Sequence, residues 1–198
     1  MNLASLIDVA QHYCLNQQTG LIEQARQVVS PFYDERLDEQ GCPCSVSLLV
    51  IHNISLPPHQ FGGPYIDQLF TGSLDPNEHE YFKEISGLRV SSHLLIRRDG
   101  ELVQYVPLHQ RAWHAGVSSF QGREKCNDFA IGIELEGADD VPYEPVQYQV
   151  LAQVTKLIQK AYPEINEERI TGHSDIAPGR KTDPGAAFDW QAYRQLLA

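Results

Sequence analysis

The stretch Ala130 to Glu136, AIGIELE, constrains this chain more than any other. Ile131, Ile133 and Leu135 alternate with Gly132, Glu134 and Glu136, and a period of two suits a strand with one apolar face and excludes a helix. An apolar strand face needs a covering layer. Residues 144–162 supply one: Val146, Val150, Leu151, Val154, Leu157, Ile158 and Ala161 recur at helical period, with Pro145 in the first turn, which predicts a long amphipathic helix.

Further segments complete the architecture. VSLLVIHN, residues 46–53, is an apolar and β-branched run that predicts a buried central strand with His52 at its C-terminal end. Residues 89–107 give two strand-like runs around Asp99-Gly100, a dipeptide that favours a hairpin turn. A hairpin is antiparallel whereas strands separated by helices pair in parallel, so the sheet is mixed. The expected fold is α/β, a single domain with a central mixed β-sheet flanked by helices. Short helical pieces between Tyr65 and Leu88, a brief strand before His173 and a closing helix over 188–197 fit that plan. Leu3, Leu6, Ile7, Ala10, Tyr13 and Cys14 recur at helical spacing up to Gly20, so residues 1–20 are expected as a helical extension to a domain spanning 21–198.

Composition narrows the partners. The 198 residues are 42% hydrophobic, enough for one sizeable core. A net charge of −11 repels phosphate backbones and anionic lipid, so neither nucleic acid nor membrane is expected. The first twenty residues lack a basic region followed by an apolar core, and no run approaches the roughly 18 apolar residues of a membrane span. The protein is therefore expected in the cytoplasm, with Cys14, Cys42, Cys44 and Cys126 reduced. Cys42-Pro43-Cys44 lacks the second Cys/His pair of a structural zinc site.

The segment TGHSDIAPGRKTDPG, residues 171–185, places His173, Lys181 and Asp183 on a loop whose Pro178, Gly179, Pro184 and Gly185 oppose a long helix. Two histidines and a carboxylate are a common ligand set of catalytic zinc, and His52, His173 and Asp183 can be brought together from the end of a strand and the two ends of this loop. His93 and His114 compete for the same role. His93 reads equally as a core imidazole and His114 as part of a loop beside Trp113. Glu134 or Glu136 could serve as a general base, or both could be solvated acids on an edge strand. Lys181 could stabilise an oxyanion or lie on the surface. Cys126 is a weaker alternative as a nucleophile, since no neighbour is placed to lower its pKa.

The blocks LLVIHNISLPPHQFGGPYIDQLFTG, VSSHLLIRRDGELVQYVP, RAWHAGVSSFQGREKCNDFAIGIELEG and TGHSDIAPGRKTDPGAAFDW closely resemble the AmpD family of cytoplasmic N-acetyl-anhydromuramyl-L-alanine amidases, from about Gly20 to the C-terminus. The resemblance implies the fold of peptidoglycan recognition proteins and one zinc ion per chain held by His52, His173 and Asp183. It implies Glu134 as proton acceptor, Lys181 as transition-state stabiliser, and Asn53, Trp113 and His114 along the substrate groove. The implied substrate is a small anhydro-muropeptide, cleaved between the lactyl group and L-alanine, and no obligate protein partner is implied. Two rivals remain: a non-catalytic muropeptide-binding module on the same fold, and an amidase acting on intact peptidoglycan outside the cytoplasm.

Overall fold

The computed structural model describes residues 13–38 and 40–198. Six strands form the main sheet: β1 (Arg26–Gln27), β2 (Leu48–Ile54), β3 (Leu94–Ile96), β4 (Leu102–Gln104), β5 (Ala130–Glu136) and β6 (Ile170–Gly172). Their spatial order is β6-β2-β5-β3-β4-β1. The β3–β4 hairpin around Asp99-Gly100 is antiparallel and the other four pairings are parallel. This is the mixed sheet that the hairpin and the buried runs require. Among the described residues five α-helices accompany it: α1 (Tyr65–Thr71), α2 (Phe82–Ile85), α3 (Pro145–Ala161), α4 (His173–Ile176) and α5 (Trp190–Leu197).

The period of two decides what each face of the sheet does. Leu49 and Ile51 of β2 and Ile131, Ile133 and Leu135 of β5 pack with Val150, Leu151, Val154 and Ile158 of α3 and Tyr193 of α5. Each fully buried side chain of this size contributes roughly 1.5–3 kcal/mol. α3 begins where Glu144 and Gln147 form a reciprocal capping box, followed by Pro145 at the first helical position. The residues of opposite parity, Leu48, Val50 and Ala130, pack on Ile176 of α4, while Leu95 and Val103 meet Ile66, Leu69 and Phe70 of α1. Both faces are thus covered, and every residue of β5 is buried. Glu134 and Glu136 are therefore not solvated acids on an edge.

The N-terminal region differs from its spacing. Tyr13–Gly20 is not the end of a helix: Leu15–Asn16 pairs antiparallel with Leu21–Ile22. The Asn16 side-chain oxygen accepts from the Gln18 and Thr19 amides, closing the turn locally. The buried Gln104 amide then holds the returning strand, accepting from Ile22 N–H and donating to the Gly20 carbonyl. These polar captures override the helical recurrence of Tyr13 and Cys14. Leu3, Leu6, Ile7 and Ala10 lie outside the described residues. Among the described residues no helix is long and apolar enough to cross a membrane.

Candidate metal centre and groove

Parallel strands deliver their C-terminal ends to one edge, where loops converge into a crevice. The register places Glu134 directly opposite His52, and Gly172 opposite Ile51. His173, the next residue after Gly172, therefore enters level with His52. The Asp175 carboxylate accepts from Gly172 N–H and from the Thr171 hydroxyl, turning β6 into the single turn of α4 with His173 at its start. Ser174 N–H donates to the Asp183 carbonyl, at 2.9 Å, and returns the far end of the loop to its beginning. Gly185 is at φ +82°, and a Cβ there would stand 2.1 Å from the Asp139 Cα. Only glycine lets the segment after Asp183 pack this closely.

The result is a triangle. His52 Nδ1, His173 Nδ1 and Asp183 Oδ2 are each 3.0 Å from the other two. Among the described residues it is the only group of three or more His, Cys, Asp or Glu side chains fit to hold a metal ion. The proton inventory leaves room for a cation. His173 Nε2 lies 3.1 Å from the Ala115 carbonyl, which can only accept, so His173 carries its proton there and Nδ1 presents a lone pair. Asp183 Oδ2 presents lone pairs as well. Either one proton on His52 or a cation must bridge the three atoms. A cation requires His52 to carry its proton on Nε2, and His114 Nδ1 stands 2.9 Å away to accept it. Both ligand imidazoles then have their second nitrogen paired, as metal-binding histidines commonly do. Two imidazoles and a carboxylate suit zinc, and ligand atoms at about 2.0–2.1 Å from a tetrahedral ion would be little farther apart than these. The residues fit the metal.

Around the triangle the side chains are withdrawn from water. His52 is 1% exposed and His173 3%, and burial lowers the pKa of His52 to about 4, partly against the neighbouring Asp183. Glu134 is 8% exposed, and its Oε2 is buried with no hydrogen-bond partner. Burial, with the Asp183 charge adding, raises its pKa well above the usual carboxylate range, while Lys181 opposes the rise. An unpartnered buried carboxyl beside metal ligands is a candidate for proton transfer. Glu136, two residues on, is a different case. It accepts from the Arg97 guanidinium, Gly62 N–H and Arg98 N–H, so both of its oxygens are already committed. Cys126 is fully buried, and burial raises its thiol pKa, the opposite of an activated nucleophile.

A groove of about 360 Å³ runs over the site, bounded by Leu69, Phe70, Tyr81, Ile85, Val90 and Trp113 on its apolar side. It shares Asn53, Lys181 and Asp183 with a more open polar depression lined by His59, Asp139 and Thr182. Trp113 stacks near Phe32, with ring centroids 6.2 Å apart, and its Nε1–H donates to Asp34. The Asn53 amide donates to Asp139 Oδ1 and the Pro184 carbonyl, tying the end of β2 to the loop that carries Asp183. His114 lines the groove, and its Nδ1 faces His52 Nε2 at 2.9 Å. Sequence reasoning did not find Asn127 or the special place of Gly132. The available signal was a glycine between two isoleucines inside a strand, which marks a close approach of another group.

Fold and site together define an α/β domain with a candidate mononuclear metal centre of the hydrolase type. The chain belongs to the N-acetylmuramoyl-L-alanine amidase family, whose sequence model matches residues 43–186. It is 60% identical over 179 residues, 90% of this chain and 93% of the relative, to the 1,6-anhydro-N-acetylmuramyl-L-alanine amidase AmpD of Salmonella typhimurium strain SL1344. A crystal structure of a selenomethionine AmpD derivative superposes with a TM-score of 0.88 at 59% identity, covering 93% of this chain and 99% of that one. More distant is AmiD from E. coli, solved in complex with anhydro-N-acetylmuramic acid-L-Ala-D-γ-Glu-L-Lys. It gives a TM-score of 0.56 at 31% identity over 83% of this chain and 65% of the other.

Proposed function

We propose that the chain is a zinc-dependent amidase of peptidoglycan recycling. It hydrolyses the amide between the lactyl group of anhydro-N-acetylmuramic acid and the L-alanine of a muropeptide. The observation that carries this reading is the triangle of His52, His173 and Asp183, with the unpartnered carboxyl of Glu134 beside it. The substrate class is supported by the name of the S. typhimurium relative and by the ligand of the E. coli AmiD complex. Residues 21–198 form the amidase unit in this reading, with 1–20 an extension to it.

His52, His173 and Asp183 would hold one zinc ion, which supplies Lewis acidity, making water acidic near neutral pH and polarising a carbonyl oxygen. Glu134 takes the proton of the attacking water and returns it to the departing alanine nitrogen. A raised pKa suits it to both steps, because the proton it gains must be held and then released. Lys181 brings its ammonium to the carbonyl oxygen as negative charge grows there. Asn53, Trp113 and His114 line the groove in which the substrate lies, and the flat face of Trp113 offers a platform for a sugar ring.

The protein is proposed to act in the cytoplasm on soluble fragments, with no obligate protein partner. Incubating it with anhydro-muropeptide and, separately, with intact sacculi tests that choice. Mass spectrometry should find free stem peptide released far faster from the fragment. Comparable release from sacculi would assign the protein to cell-wall hydrolysis outside the cytoplasm instead.

A further inference from the structure

Both candidate ligand histidines are braced from one short loop. His52 Nε2 meets His114 Nδ1 at 2.9 Å, and His173 Nε2 meets the carbonyl of the next residue, Ala115, at 3.1 Å. On one side the loop is held by Asn127, whose amide oxygen accepts from both His114 N–H (3.1 Å) and Ala115 N–H (2.8 Å). From the other side, Arg180 donates to the same Ala115 carbonyl and to that of Val117, at 2.6 Å each. The His114 ring lies over Gly132 of β5, where a Cβ would stand 2.6 Å from ring atoms. The missing side chain is what makes room for it. Gly132 N–H in turn donates to His93 Nδ1, so this stretch of β5 serves two imidazoles.

We propose that His114 is a positioning residue that holds His52 in its Nε2–H form, leaving Nδ1 free for the metal, and that Asn127 positions the loop that presents it. This rests on the zinc reading of His52 and extends it to residues outside the ligand set. His114 as acceptor at Nδ1 must carry its own proton on Nε2, and that atom is buried without a partner. The arrangement thus tolerates an unsatisfied donor, which stability alone does not favour.

The test uses the zinc-loaded full chain with two readouts besides activity. One is zinc affinity by chelator competition. The other is the ¹⁵N spectrum of the imidazoles, including coupling across the hydrogen bond between His52 Nε2 and His114 Nδ1. The parent should bind one zinc through His52 Nδ1 and show that coupling. His114→Phe should weaken zinc by about 10–100-fold and lose the signature, while His114→Asn, whose amide oxygen replaces Nδ1 as acceptor, should recover most of the affinity. Asn127→Ala should weaken zinc in the same direction with His114 intact, and it carries the test should His114→Phe not fold. His114→Phe or Asn127→Ala with parental zinc affinity overturns the proposal, as does a parent in which His52 Nε2 is unprotonated. A parent that binds no zinc, or a His52→Ala variant that binds it fully, instead removes the metal reading itself and the proposal with it.

Discussion

Replacing Glu134 separates what the residue does for the reaction from what it does to the fold. Glu134→Ala should retain zinc and lose turnover by the 10²–10⁴-fold typical of a missing general base, read by single-turnover rates beside metal analysis. Glu134→Gln in the metal-free protein should have a second, opposite effect. The folded-state pKa of this carboxyl is raised above its ordinary value of 4.5 by burial, so the folded state binds this proton more tightly than the unfolded one, and the contribution of Glu134 to parental stability falls as pH rises above that value. The amide has no such penalty. Urea unfolding should show the variant gaining stability over the parent as pH rises, by about 1–3 kcal/mol, the usual cost of a buried unsatisfied group, with no gain in acid. Equal curves at all pH values would mean that Glu134 is well solvated. Lys181→Ala should keep zinc and slow the reaction by about 10²–10³-fold, as for a lost oxyanion donor.

At the scale of the element, β5 separates two neighbouring carboxylates that its alternation treats alike. Glu136 is 3% exposed in its side chain and paired with Arg97 at 3.1 Å, itself 11% exposed. Removing one partner of a buried pair typically costs about 3–5 kcal/mol. Glu136→Ala should therefore lower the unfolding midpoint strongly, where Glu134→Ala does not, and a mild Glu136→Ala variant would contradict the buried pairing. The strands and α3 were legible because Ile131, Ile133, Leu135 and the α3 series repeat at the two fixed periods of secondary structure. The choice between Glu134 and Glu136 was not, since it depends on Arg97 and Gly62, which approach β5 only in three dimensions. The ligand set could be read as one candidate among several, because His52 lies near the C-terminal end of β2 and His173 directly follows β6, strands whose parallel order brings them level. The role of His114 could not, since it needs Asn127 across a loop and the space over Gly132. The error at Tyr13–Gly20 has a similar origin: recurring apolar residues predict helix, and the amides of Asn16 and Gln104 impose a hairpin.

For the whole molecule, three imidazoles lie around one stretch of sheet, His52 and His93 buried and His114 partly so. Burial lowers the pKa of His93 to about 3, with Arg36 adding, and that of His52 to about 4, and places His114 well below 6.5. In the unfolded chain these groups bind protons near 6.5. As pH falls through that value the unfolded state takes up protons that the folded state refuses, so stability declines from about pH 6.5 downward. The urea midpoint of the metal-free protein should drop with pH across that window, and His93→Gln should make the dependence shallower by up to one proton. A midpoint independent of pH between 6.5 and 5 would contradict the buried neutral cluster.

The central claim is that amide cleavage depends on a metal held by His52, His173 and Asp183. The most direct measurement is release of stem peptide from anhydro-muropeptide by the zinc-loaded protein, by the same protein stripped with chelator, and after zinc is restored. The expected results are release, loss of release with the fold intact, and recovery, with no recovery in His173→Ala. Undiminished cleavage by protein verified free of metal would contradict the claim.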